Sequence, residues 1–146
     1  MLSMQEMSDR IEIQDLIARY AHAIDDADYD ALDKVFTPDA TIDYTDLGGA
    51  KGTLQETKAY LAGAMGNFSN YQHMSATSRV DLDGDKAKAR TILFNPMMIK
   101  HEGKDQMFFI GLWYRDELVR TEAGWRIANR REEKCWSFNA PEGLLP

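Results

Sequence analysis

The sequence predicts an α+β fold, with N-terminal helices packed on an antiparallel sheet. Three observations carry this. Apolar residues recur at helical spacing between Ile13 and Ile24. After about residue 70 the chain runs in long strand-like stretches separated by short glycine-containing turns. These stretches follow one another without intervening helices, which excludes the alternation of a Rossmann-like sheet.

Taken in order, Ser3 with Glu6 fits a capping box, and Ser8 with Asp9 offers a second possible helix start. Ile13, Leu16, Ile17, Tyr20, Ala21 and Ile24 then form one apolar stripe. Asp25, Asp26 and Asp28 end that helix. A short second helix is expected, with Tyr29, Leu32, Val35 and Phe36 inside and Pro38 as its stop. Residues 40–44 alternate as a short strand, and Gly48-Gly49 turns the chain. Thr53 and Glu56 open a helix that runs to about Gly66. Strands are expected near 71–82, 86–99, 106–120 and 125–136. Asp83-Gly84-Asp85, Glu102-Gly103 and Glu122-Ala123-Gly124 separate them as hairpin turns. The run MFFIGLWY (107–114) is apolar on both faces. Helices cover one face, so the second is expected to meet another copy of the chain, in a dimer or trimer.

The chain has 146 residues, 44% hydrophobic and 28% charged, the profile of one folded domain spanning 1–146. Its formal net charge of -7, from 17 basic and 24 acidic residues, opposes binding to nucleic acid or anionic membranes. No apolar run reaches the roughly 20 residues of a membrane span, and the N-terminus lacks a signal-peptide pattern. Cys135 is the only cysteine, so no internal disulfide forms and a cytoplasmic protein is expected.

Several residues have chemistry to offer. Tyr20 lies on the buried helix stripe and Tyr44 shares an inward phase with Ile42, so each phenol needs a partner. They are either core tyrosines or donors for an oxyanion. Asp25 stands ~140° round the helix from Tyr20, so the two share a cavity only where the helix ends. Otherwise it belongs, with Asp26 and Asp28, to a solvated capping corner. His73 alternates with Tyr71, Ser75 and Thr77 inside an expected strand. It is either a satisfied structural residue or a proton carrier. His22 and His101 read as surface residues, and no histidine pair has metal-ligand spacing. Asp81, Asp83 and Asp85 lack the glycine and glutamate placement of a calcium loop. Asn95 falls in phase with Ala87, Ala89, Thr91, Leu93 and Met97 on the expected concave face; Asn129 has a similar character. Met65, Met97, Phe109, Trp113 and Phe138 either line an apolar cavity or pack the core.

The segments RIEIQDLIARYAHAIDDADYDALDKVFTPDATIDY and GLWYRDELVRTEAGWRIANRREEK resemble the SnoaL-like branch of the NTF2-like superfamily. The resemblance covers nearly the whole chain and implies a cone-shaped roll. It is nearest in kind to the scytalone dehydratase and bile-acid 7α-dehydratase types. Their site positions read here as Tyr20, Asp25, Tyr44 and His73, with Asn95 where an ionisable partner is common. The resemblance implies a cofactor-independent, dehydratase-like lyase acting on a hydrophobic cyclic or aromatic hydroxylated compound. His73 would be the acid–base, since a free imidazole titrates near about 6.5. Asp25 or Asn95 would be its partner, and Tyr20 and Tyr44 the oxyanion donors. The same parts suit a retro-aldol cleavage or a double-bond isomerisation, and a non-catalytic ligand-binding or assembly subunit is the alternative from another class.

Overall fold

The first helix is closed at its start by its own residues. Ser3 Oγ accepts from the Glu6 amide at 3.1 Å, and the Glu6 carboxylate accepts from the Ser3 amide at 2.7 Å. This computed structural model describes residues 1–146. Helix α1 (Met4–Asp25) buries Ile13, Leu16, Ile17, Tyr20 and Ile24, a stripe worth about 1.5–3 kcal/mol per large side chain. Its exit is a left-handed turn: Ala27 has φ of 53°, and the Asp28 amide returns to the Ala23 carbonyl at 2.9 Å. The Asp28 carboxylate then accepts from the Ala31 amide, capping a 3-10 helix over Tyr29–Lys34. The expected second helix is therefore shorter and tighter, and Phe36 and Pro38 belong to strand β1 (Phe36–Asp43). Pro38 is tolerated there because the pairing of β1 is irregular between Phe36 and Thr41.

β2 (Lys51–Thr53) leads into α2 (Leu54–Ala64), which carries the expected Thr53–Glu56 capping box. Five strands follow: β3 (Phe68–Tyr71), β4 (Met74–Asp83), β5 (Lys86–His101), β6 (Lys104–Thr121) and β7 (Gly124–Phe138). The sheet order is β2-β1-β7-β6-β5-β3, with β4 also paired to β5. Every pairing is antiparallel except β1 with β7. β3 and β4 share one partner strand: Tyr71 pairs Met97, and Met74 pairs Phe94. The chain bends between them, at Gln72 and His73.

Two bulges set which residues of β7 face inward. Leu118 opposes Ile127 while Glu117 opposes Asn129, leaving Ala128 as an extra residue. Cys135 is extra in the same way, between the Leu112–Lys134 and Gly111–Trp136 pairs. A bulge reverses the alternation of a strand. Trp125 and Ile127 are buried before the first bulge, and Arg130 after it.

The inner face of the sheet carries Leu93, Asn95, Met97, Phe108, Ile110, Leu112 and Tyr114, all buried. The outer face carries a second apolar row. Phe94, Gly111 and Trp136 lie in register across β5, β6 and β7, and Phe109 and Phe138 pair beside them. The Trp136 indole lies directly over Gly111, where any Cβ would fall 2.2 Å from the ring. No helix is long and apolar enough to cross a membrane.

Candidate active site

The residues expected at a site come from four elements. α1 ends at Asp25, so its last turn delivers Tyr20 and Asp25 toward the same end of the roll. Tyr44 follows β1, at the start of a 3-10 turn over Thr45–Leu47, and is 4% exposed. Asn95 is on the inner face of β5. His73 lies at the bend between β3 and β4 rather than inside a strand, because its amide and ring both turn to Asp25.

That contact is threefold. The backbone N–H of His73 donates to the Asp25 carboxylate at 3.1 and 3.0 Å, and the ring Nδ1 lies 2.7 Å from Oδ1. Burial pushes the Asp25 carboxyl up, but the ring and backbone hydrogen bonds of His73 outweigh it and hold the group below its ordinary range. An ionised Asp25 only accepts, so Nδ1 carries the proton and Nε2 is the nitrogen left for the cavity. The choice between Asp25 and Asn95 as the histidine's partner is thereby resolved. Asn95 instead donates to the Gln72 carbonyl at 2.8 Å, bracing the bend that presents His73.

Tyr20 and Tyr44 meet hydroxyl to hydroxyl at 2.6 Å. Burial raises both phenols, Tyr44 well above the ordinary value, against the lowering effect of the Arg130 charge. Both therefore remain neutral. One O–H is spent within the pair, leaving one to point elsewhere. The guanidinium of Arg130 lies against both the Tyr20 and Tyr114 rings, 4.1 and 4.0 Å from their centroids. It is fixed there by two 2.7 Å bonds to Asp116.

Tyr20, Tyr44, His73, Asn95, Met65 and Met97 all line one cavity of about 120 Å³, closed by Ile24, Leu61, Ile110 and Leu112. A vestibule of about 480 Å³ adjoins it, sharing Leu47, Tyr60, Phe68 and Leu145. Phe109, Trp113 and Phe138 do not line it. They lie on the outer face: Phe109 stacks on Phe94 at 5.7 Å, Trp113 lies under Arg90 at 4.1 Å, and Phe138 is exposed. Strand parity decides this, since Phe108, Ile110 and Leu112 take the inward positions of β6. Asn129 also points away, to Thr41. No three His, Cys, Asp or Glu side chains gather as metal ligands would.

The one acidic side chain that lines the cavity was not apparent from the sequence. Glu132 lines the same cavity, two residues beyond Arg130 and paired across the ladder with Tyr114. Burial, reinforced by Asp46 and Asp43 and opposed by Arg130, pushes its carboxyl up to about 8. A strict alternation from Ile127 would have turned Glu132 outward. The Ala128 bulge turns it in, and no local signal in the sequence announces a bulge there.

The SnoaL-like domain family matches residues 5–131. An uncharacterized protein of Mycobacterium tuberculosis is 50% identical over 136 residues, covering 93% of this chain and 92% of that protein. Among solved structures, a Kribbella flavida protein has a TM-score of 0.82 at 27% identity, over 91% of this chain and 95% of that one. A candidate scytalone dehydratase of Novosphingobium aromaticivorans gives 0.79 at 17%, covering 92% and 89%. A hexachlorocyclohexane dehydrochlorinase, LinA-type3, of Novosphingobium barchaimii also gives 0.79 at 17%, covering 94% and 92%. At these last identities the likeness is one of fold. With the helix-then-meander architecture, these matches establish that the chain belongs to the SnoaL-like family of the NTF2-like superfamily.

Proposed function

We propose that this protein is a cofactor-independent lyase of the dehydratase type. It acts in the cytoplasm on a small, largely apolar cyclic or aromatic compound bearing a hydroxyl group. The observation that carries the reading is the 2.7 Å contact of His73 Nδ1 with an ionised Asp25, on the same cavity as the Tyr20–Tyr44 pair. The carboxylate fixes the tautomer, so Nε2 is a base aimed at whatever fills the cavity.

In this mechanism Nε2 takes the proton from a C–H made acidic by a neighbouring carbonyl or ring. The C–H electron pair becomes the new double bond, and the C–O bond breaks with its pair on oxygen. Asp25 stabilises the imidazolium formed in between, and that proton completes the departing water. The free O–H of the phenol pair holds charge developing on the substrate oxygen, a contribution of about 3 kcal/mol for a well-placed donor. The apolar vestibule holds the body of the ring. An elimination of this kind accords with the names carried by two structural neighbours, a dehydratase candidate and a dehydrochlorinase.

The same proposal includes self-association. Phe94, Met107, Trp136 and Phe138 are exposed together on the outer face, and a cluster of exposed large apolar side chains suits an interaction surface. The expected dimer or trimer is tested by light scattering at micromolar concentration, where a monomer would contradict it.

The activity is tested by incubating the protein with hydroxylated aromatics and steroids and following products by mass spectrometry. Loss of water that disappears in His73→Gln supports the reading. Rearrangement without mass change would make the protein an isomerase, and fragmentation a C–C lyase. Normal turnover by His73→Gln would remove His73 from the mechanism.

A further inference from the structure

The base is on one wall of the cavity, and the phenol pair supplies a single free O–H. Glu132 of β7 contributes a carboxyl to the lining of the same cavity. Nothing in the chain satisfies that carboxyl: burial and through-space charge act on it, and no hydrogen bond does. Its neighbour Arg130 is already committed to Asp116 through two 2.7 Å bonds. Asp43, from the end of β1, and Asp46, from the turn after it, add negative charge nearby. Tyr20 of α1, Tyr44, Tyr60 of α2 and Tyr114 of β6 complete its surroundings; burial raises each phenol, and the charge of Glu132 adds to it. A carboxyl in this setting holds its proton at neutral pH. Glu132 is half-buried, and a carboxyl left without a hydrogen bond on a cavity wall is open to a partner from outside the chain.

We propose that Glu132 is the general acid of the cavity, donating a proton to an oxygen atom of the substrate while His73 acts as base. This deepens the elimination reading above and rests on it. His73 Nε2 takes the C–H proton, and the C–H pair forms the double bond. The C–O bond breaks, and the proton that joins the departing hydroxyl to release water comes from Glu132 in place of the imidazolium. The enzyme is left with an imidazolium and a carboxylate, and one proton passing between them through water restores both. The arrangement selects for oxygen leaving groups, because hydroxide leaves poorly without a proton whereas chloride leaves as a stable anion.

The probe is 4-nitrophenol, a phenol already ionised by about pH 8, whose absorbance reports binding of its oxyanion. The wild-type protein binds the phenolate while Glu132 is protonated. Above about pH 8 affinity falls about tenfold per pH unit as the carboxylate forms beside the bound anion. Glu132→Gln keeps an N–H donor and no titration, so its affinity stays flat across the same range. His73→Gln keeps the wild-type fall. A flat wild-type profile, or a fall that persists in Glu132→Gln, overturns the proposal. Carbon NMR of the wild-type glutamate carboxyls gives a check independent of any variant. One resonance titrates near pH 8, and its absence also overturns the proposal. Should His73→Gln turn over hydroxylated compounds normally while the phenolate profile holds, the histidine mechanism fails and Glu132 stands as an oxygen-binding acid.

Discussion

Arg130 and Glu132 are two residues apart on the same strand and the same face, and the protein treats them in opposite ways. Arg130 is fully buried, held by both oxygens of Asp116 and packed against two tyrosine rings. Glu132 has a wall of the cavity and no partner at all. A buried charge that serves the fold is paired, because removing it from water costs several kcal/mol. Glu132 is only half-buried, and an ionisable group left without a hydrogen-bond partner on a cavity points to something outside the chain as its complement.

Breaking the paired end has the largest expected effect on folding. Asp116→Asn leaves the Arg130 guanidinium buried without a counter-charge and lowers stability by about 3–5 kcal/mol, read from urea unfolding midpoints. A loss below about 1 kcal/mol would mean that water or the tyrosine rings already satisfy the charge. At the open end, His73→Gln lowers turnover of the active compound by about a hundredfold to ten-thousandfold with an unchanged unfolding midpoint. Loss of fold instead would make the Asp25–His73 contact structural.

Glu132→Gln sharpens the comparison through pH. Folding takes a carboxyl whose ordinary value is 4.5 and holds it neutral to about 8. Between those values the unfolded chain binds fewer protons than the folded one, so wild-type stability falls as pH rises through the window and levels off above it. Glu132→Gln removes that slope. It is expected to match the wild type near pH 4.5 and to exceed it by on the order of 2–3 kcal/mol at pH 8, allowing for water reaching the carboxyl. Thermal melts across that range measure it, and parallel curves would refute it. The smallest effect belongs to Tyr44→Phe. It leaves the Tyr20 hydroxyl without its 2.6 Å partner and costs about 1–2 kcal/mol, read from the same melts.

Much of the site is legible in the sequence. The stripe from Ile13 to Ile24 fixed the buried side of α1, and with it Tyr20. The aspartates after it ended the helix where Asp25 could turn toward His73. Period-two alternation placed Asn95 and Met97 inward on β5, because that strand pairs with β6 without interruption from His101 back to Lys86. Phe109, Trp113 and Phe138, expected at the cavity or in the core, lie on the outer face instead. MFFIGLWY is apolar on both sides, and alternation says which residues share a face without saying which face is inside.

What the sequence determined by itself was local: two capping boxes, the apolar stripe, the hairpin turns and the grouping of residues by parity, all properties of neighbours along the chain. The tertiary structure decided the rest. It chose Asp25 over Asn95 as the histidine's partner, since that contact joins residues 48 positions apart. It also brought Glu132 inward, because the Ala128 bulge reverses the strand's alternation. A bulge is settled by how two strands register against the core, and a single extra residue leaves no local signal of which way the chain will turn.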